Sequence, residues 1–256
     1  MAFLELENKV AIVTGTNREI GAAMVEALAG AGAFILAAHY GEAKRVESLI
    51  KKVRATGGQI ESFETDLTNV NANYELVSRA VKLWGQLDIL AANAGITINA
   101  PFLETNETMW DNLLALNLKG SYFGAQAAAR QMIAQGKGGR IIFSTSVTGV
   151  QAVQNFSAYG ITKAGLIHMA KTLGIELGNY GITVNALGIG ATLNERNLQD
   201  NPDYEAHWEG VIPTGRVGQP IDLAKALLFL VSEGAQMVNG HTLMIDGGWS
   251  ATSKLP

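Results

Sequence analysis

Seven short apolar runs, separated by stretches of helical period, constrain this chain more than any other feature. The runs are KVAIVT (9–14), AFILAAH (33–39), QIESFETD (59–66), LDILAANAG (87–95), GRIIFSTS (139–146), GITVNALG (181–188) and HTLMID (241–246). Between them, 20–32, 42–58, 70–84, 109–135 and 157–177 read as helices, several ending at glycine. A strand that alternates with a helix needs crossover connections, and crossovers make a parallel sheet covered on both faces. AFILAA and IIFS lack a period of two, as strands buried on both faces should. The expected fold is α/β, a doubly wound parallel sheet in one domain over 1–256. No repeat, low-complexity tract or linker interrupts it. The one long polar interruption is 191–216, before a helix that opens near Pro220.

Composition narrows the function. Hydrophobic residues make up 48% and charged ones 16%, and the net charge is −4, with no run of five like charges. That balance argues against a nucleic-acid surface or a polybasic membrane patch. The chain has no cysteine, so disulfides, thiolate nucleophiles and zinc–thiolate sites are excluded. His39, His168, His207 and His241 lack metal-ligand spacing, and no metal site is expected. The N-terminus is broken by charges, unlike a secretory signal, and no apolar run is long enough to span a bilayer. The expectation is a cytoplasmic protein with a small-molecule ligand.

In a doubly wound sheet, ligands lie beyond the C-terminal ends of the strands. The first such turn is TGTNREIG, Thr14 to Gly21. Gly15 suits a tight turn, Gly21 lets the next helix approach, and N–H groups at that helix start can receive a pyrophosphate. Further on, Asn93-Ala94-Gly95 follows the fourth run, Asn117 lies in ALNLKGSY, Ser146 ends the fifth run, and Tyr159 precedes Lys163 by one helical turn. In this order and on these elements, the motifs resemble those of the short-chain dehydrogenase/reductase family over nearly the whole chain, with its Rossmann-like fold.

The resemblance implies a catalytic set of Tyr159, Lys163, Ser146 and Asn117. It implies coenzyme contacts from Gly15, Asn17, Arg18, Ile20 and Gly21 in the first turn, and from His39 and Tyr40 after the second run. Asp66 and Leu67 follow after the third, Asn93, Ala94 and Gly95 after the fourth, and Ile189, Gly190 and Thr192 after the sixth, with Tyr159 and Lys163 beside them. The coenzyme part is expected over about 1–145 and the catalytic part over about 146–256, with 191–216 as a flap. The family also implies a homotetramer built through 109–135 and 157–178, where Ala125, Ala127, Ala128 and Ala129 permit close packing or face the sheet. Two positions depart from the pattern: Glu19 stands where the family has a glycine, and Ile189 where it has a proline.

The chemistry fits those residue types. Hydride transfer from an alcohol carbon requires its hydroxyl proton to leave, and a phenol in water titrates near 10, too high for an efficient base. An ammonium one helical turn away favours the phenolate. By resemblance Lys163 also holds the nicotinamide ribose, Ser146 the substrate oxygen, and Asn117 a relay water. A tyrosine and lysine at this spacing are, taken alone, more often solvated neighbours; the coenzyme turn reverses that balance.

An acidic residue after the second strand selects a ribose hydroxyl, whereas a 2′-phosphate needs positive charge. The segment AAHYGEAKR has no Asp, and Arg18, Lys44 and Arg45 can supply charge, so NADP is expected ahead of NAD. The flap residues Asn194, Arg196 and Trp208, with Gln154, Asn155 and Ser146 near the base, suit a hydroxylated substrate such as a sugar or polyol. The alternatives are a 3-ketoacyl or other small-ketone reductase, a non-catalytic nucleotide-binding regulator, and a halohydrin-type lyase, against which Lys163 and Gly15 argue.

Overall fold

Each of the seven apolar runs becomes a strand of one parallel sheet. In the computed structural model, which describes residues 6–252, the strands are β1 (Val10–Thr14), β2 (Phe34–His39), β3 (Ile60–Glu64), β4 (Ile89–Ala92), β5 (Gly139–Ser146), β6 (Ile182–Ile189) and β7 (Thr242–Ile245). Their order is β3-β2-β1-β4-β5-β6-β7, and every neighbouring pair is parallel. The order reverses between β1 and β4, which opens a crevice at the carboxyl ends of those strands. β1 and β4 are buried along their whole length, which is why neither run alternates.

The helices are α1 (Glu19–Gly30), α2 (Ala43–Ala55), α3 (Val70–Trp84), α4 (Glu107–Leu113), α5 (Ser121–Gln135), α6 (Ser157–Leu177), α7 (Glu195–Asp200), α8 (Tyr204–Glu209) and α9 (Pro220–Val231). α3, α5 and α6 cover one face of the sheet over Val10, Ile12, Leu36, Ile141, Phe143 and Val184; α1, α2 and α9 cover the other over Ala11, Val13, Ile35, Ile89 and Leu187. Each fully buried Leu or Ile contributes roughly 1.5–3 kcal/mol, so two apolar layers on one sheet fix its register.

Two expectations are refined. The stretch 109–135 is helical throughout, as expected, but between α4 and α5 Leu114–Gly120 winds as a π-helix. The wider turn adds a residue per hydrogen-bonded ring, so the side chains after it face differently. Asn117 sits in it and is fully buried. The polar flap 191–216 is also more ordered than its composition suggests. It carries α7 and α8 over a small core of Ala191, Ile212 and Val217, packed by Leu193, Tyr204, Trp208 and Trp249.

Close approach sets α6 over the end of β5. A Cβ on Gly149 would stand 2.8 Å from the carbonyl carbon of Lys163, so only glycine lets the turn after β5 press on that helix. The helix residue it touches is the lysine of the sequence motif.

Candidate active site

Side chains stitch the ends of three adjacent strands into a floor. Thr14 Oγ1 accepts from the backbone N–H groups of Asn93 and Ala94, both at 2.9 Å. Asn93 Nδ2 donates to the Thr14 carbonyl at 3.0 Å, and its Oδ1 accepts from Ser144 Oγ at 3.0 Å. Thr14 ends β1, Asn93 follows β4 and Ser144 lies in β5.

On this floor rests the glycine turn. Gly15 has φ 70°, and a Cβ there would stand 2.9 Å from Ala94 Cα. One on Gly21 would run into the Gly15 carbonyl oxygen. The turn therefore lies flat between β4 and α1, a cradle that a side chain would fill. Arg18 starts α1 without a side-chain cap. A dinucleotide pyrophosphate fits a turn of this kind, with N–H groups at a helix start to receive it.

Above the floor, Lys163 and Asn117 converge. Lys163 is 5% exposed; its Nζ donates to the Ser144 carbonyl at 2.9 Å, and its own carbonyl accepts from Thr145 Oγ1 at 2.7 Å. Nζ lies 5.4 Å from the centroid of the Tyr159 ring. Asn117 Oδ1 accepts from Ile96 N at 2.8 Å, and Nδ2 donates to the Ile96 carbonyl at 2.9 Å and to Thr162 Oγ1 at 3.2 Å. Thr162 Oγ1 in turn donates to the Tyr159 carbonyl at 2.8 Å. Gly95 separates the two: a Cβ there would lie 3.0 Å from Asn117 Oδ1 and 3.6 Å from Lys163 Nζ. Half-buried Tyr159 meets Phe156 edge-on at 5.9 Å. Ser146, two residues beyond Ser144, accepts from Thr148 N at 3.2 Å through Oγ, which leaves its hydroxyl proton to donate elsewhere.

The corner after β2 is charged. His39 is buried and its Nδ1 pairs with the Gly41 carbonyl at 3.0 Å, so it serves the turn; Tyr40 beside it is 70% exposed. Asn17 Nδ2 donates to the Tyr40 carbonyl at 3.3 Å. Arg18 pairs with Glu42 at 2.5 Å, and Arg45 pairs with Glu42 at 3.2 Å and Glu195 at 2.5 Å. Thr16, Arg18, Glu19, Lys44 and Arg45 line an open groove of about 410 Å³. After β3, Asp66 folds back on Thr68 N and Oγ1 at 3.0 and 2.8 Å, and Leu67 is buried. Ile20 packs beside the α1 face of the core.

Beyond β6, Ile189 is paired in register with Ser146 on one side and Ile245 on the other, so its backbone is held although it is no proline. Gly190 N donates to the Ile245 carbonyl at 3.1 Å, and Thr192 Oγ1 returns to the Gly190 carbonyl at 3.1 Å. Of the flap residues, Asn194 caps α7 by accepting from Asn197 N at 2.9 Å, and Arg196 donates to the Thr97 carbonyl at 3.2 Å. Trp208 packs against Trp249 (4.6 Å, edge-on) and Tyr204, within the flap's own core rather than alone as a platform. Burial there pushes the Tyr204 hydroxyl up to about 12 against hydrogen bonds to Thr192 and Asn197. Gln154 and Asn155 are exposed, and the Asn155 carbonyl accepts from Ala100 N at 2.9 Å.

Sequence reasoning missed Thr162, Ser144 and Ile96. Thr162 adjoins the motif lysine, but nothing in its neighbours announces a partner 45 positions away.

An open parallel sheet, a glycine cradle at its switch point and a lysine–tyrosine pair above it make a site suited to nicotinamide-dependent oxidoreduction. The comparisons agree. Residues 15–250 match the family model described as enoyl-(acyl carrier protein) reductase. A 2-dehydro-3-deoxy-D-gluconate 5-dehydrogenase of Dickeya dadantii is 36% identical, with 96% of this chain and 97% of the relative covered. An L-rhamnose 1-dehydrogenase (NAD(P)(+)) of Azotobacter vinelandii is 36% identical, with 95% and 97% covered. The crystal structure of a short-chain type dehydrogenase/reductase from Mycobacterium marinum superposes with a TM-score of 0.92 at 30% identity, covering 98% of both chains. The chain belongs to the short-chain dehydrogenase/reductase family. It is an NAD(P)-dependent oxidoreductase acting on CH–OH groups.

Proposed function

We propose that the chain oxidises a secondary alcohol or hemiacetal of a sugar or polyol, or reduces the corresponding carbonyl, with Tyr159 as proton-transfer group. The observation that carries this reading is the buried Lys163 ammonium 5.4 Å from the Tyr159 ring, fixed on the Ser144 carbonyl. A bound nicotinamide supplies the hydride acceptor. The Tyr159 oxygen takes the substrate hydroxyl proton, and the adjacent ammonium stabilises negative charge there. Ser146 keeps its proton and donates a hydrogen bond to the substrate oxygen, and Asn117 holds the turn at Ile96 while anchoring the path by which the proton leaves. Holding these groups on a helix, a π-helical turn and a strand end supplies orientation, a large part of any rate gain.

The sugar or polyol class rests on the relatives named for such substrates and on the polar flap, whose Asn194 and Arg196 are, like Gln154 and Asn155, of the donor and acceptor kind that hydroxyls take. That set suits a long acyl chain poorly. For the coenzyme we favour NADP: Arg18 and Arg45 already close on one anionic group, Glu42, and Lys44 stands beside them. The remaining coenzyme contacts are those assigned from the resemblance. The same reading makes the enzyme a cytoplasmic homotetramer, its coenzyme part over about 1–145 and its catalytic part over about 146–256.

Fluorescence titration with NADPH and NADH, followed by turnover on a sugar and polyol panel, tests this. NADPH should bind more tightly, and Tyr159→Phe should bind it equally well while turnover falls by about 10²–10⁴-fold. Unchanged turnover in that variant would refute the role of Tyr159.

A further inference from the structure

Neighbouring residues of the flap helix α7 grip opposite walls of the crevice. The Glu195 N–H donates to Glu19 Oε1 at 3.1 Å, and the Glu195 carboxylate takes Arg45 at 2.5 Å. Arg196 donates to the Thr97 carbonyl, beyond β4, at 3.2 Å. These contacts join positions 176, 150 and 99 residues apart, so no local preference creates them. Glu19 opens α1 inside the glycine turn, where its half-buried carboxylate, at the edge of the open groove, accepts from Glu195 N and does not pair with Arg18, which turns to Glu42. It is spent on the flap.

We propose that Glu19 is a positioning residue that fastens α7 to the coenzyme turn and so sets how long the coenzyme is retained. A glycine at this position could not make the contact. The turn that receives the pyrophosphate and the segment that roofs the substrate are thereby tied by one side chain, and coenzyme exchange must release it. The inference rests on the coenzyme reading above.

The tie has a donor that can be deleted cleanly. Glu195 is the first residue of α7, where proline is tolerated, and Asn194 before it is extended (φ −155°, ψ 162°), as a residue preceding proline must be. Glu195→Pro removes the N–H together with the carboxylate that takes Arg45, whereas Glu195→Ala removes the carboxylate alone and keeps the N–H, so the difference between the two isolates the N–H. Two readouts are needed: amide exchange over 196–200 without coenzyme, and stopped-flow dissociation of NADPH and NADH. Glu19→Ala and Glu195→Pro should each speed both, the dissociation by about three- to tenfold, with an unchanged melting temperature. Glu19→Gln, which keeps an acceptor oxygen, should recover most of the effect, and Glu19→Ala should add nothing in the Glu195→Pro background. An unchanged dissociation rate in Glu19→Ala, or full additivity of the two, overturns the proposal. If the unaltered protein gives no binding signal with either coenzyme, the coenzyme reading falls and the retention role with it, an outcome distinct from an unchanged rate.

Discussion

Asn117 shows what one residue holds here. Its amide pairs with both backbone groups of Ile96, in the manner of a missing strand neighbour, and also reaches Thr162. Removing it leaves the Ile96 N–H and carbonyl, in a part-buried setting, and the buried Thr162 Oγ1 without this partner, each bond worth about 0.5–1.5 kcal/mol. Asn117→Ala should therefore lose about 2–4 kcal/mol in urea unfolding. Asn117→Asp, which can still accept from Ile96 N, should lose less; equal losses would mean that this acceptance contributes nothing. The residue was legible in the sequence because ALNLKGSY carries a motif. Its partners were not, since Ile96 and Thr162 are ordinary residues brought there by topology. Glu19 is the sharper case: visible as a departure from the family pattern, it gains meaning only from Glu195.

At the scale of elements, strands were read to within a few residues because apolar runs bounded by glycine leave little freedom. The π-turn inside the long helix went unseen because LALNLKG has helical composition, and a π-turn differs only in hydrogen-bond spacing. The flap helices were missed because six polar residues show no period, although the Asn194 cap was a usable start signal. α9 offers a test of capping. Asp222 accepts from Gln219 N at 2.8 Å and takes Arg216 at 2.7 and 3.1 Å. The Arg216 hydrogen bond holds its carboxyl below the usual range, against burial and with help from Gln219. A carboxyl lowered in the folded state contributes stability above its unfolded value, near 3.9, and loses it as pH falls through the folded value. Asp222→Asn should flatten the acid limb of the stability profile below about pH 4, by roughly 1 kcal/mol or less for a pair this exposed. An unchanged limb would remove Asp222 from acid unfolding.

For the whole molecule, the outward face of α4, α5 and α6 bears on assembly. Ala125, Ala127, Ala128 and Ala129 are buried in the core against the sheet, so they do not form a contact surface. Leu114, Leu118, Tyr122, Phe123, Met169 and Leu173 instead line an open groove of about 900 Å³ along these helices. A second copy seated there buries an apolar strip that a lone subunit leaves wet. Light scattering should give four times the 27.1 kDa subunit mass, and Tyr122→Glu should shift it downward. A single-subunit mass at micromolar concentration would sink the assembly. Thr14, Asn93 and Ser144 carry a different implication. Three strand tips laced together cannot spread to admit a bulkier guest, so a change of diet must be written into the roof. Exchanging 191–216 between relatives is the economical route to a new specificity, because Tyr159, Lys163, Ser146 and Asn117 beneath would be inherited untouched.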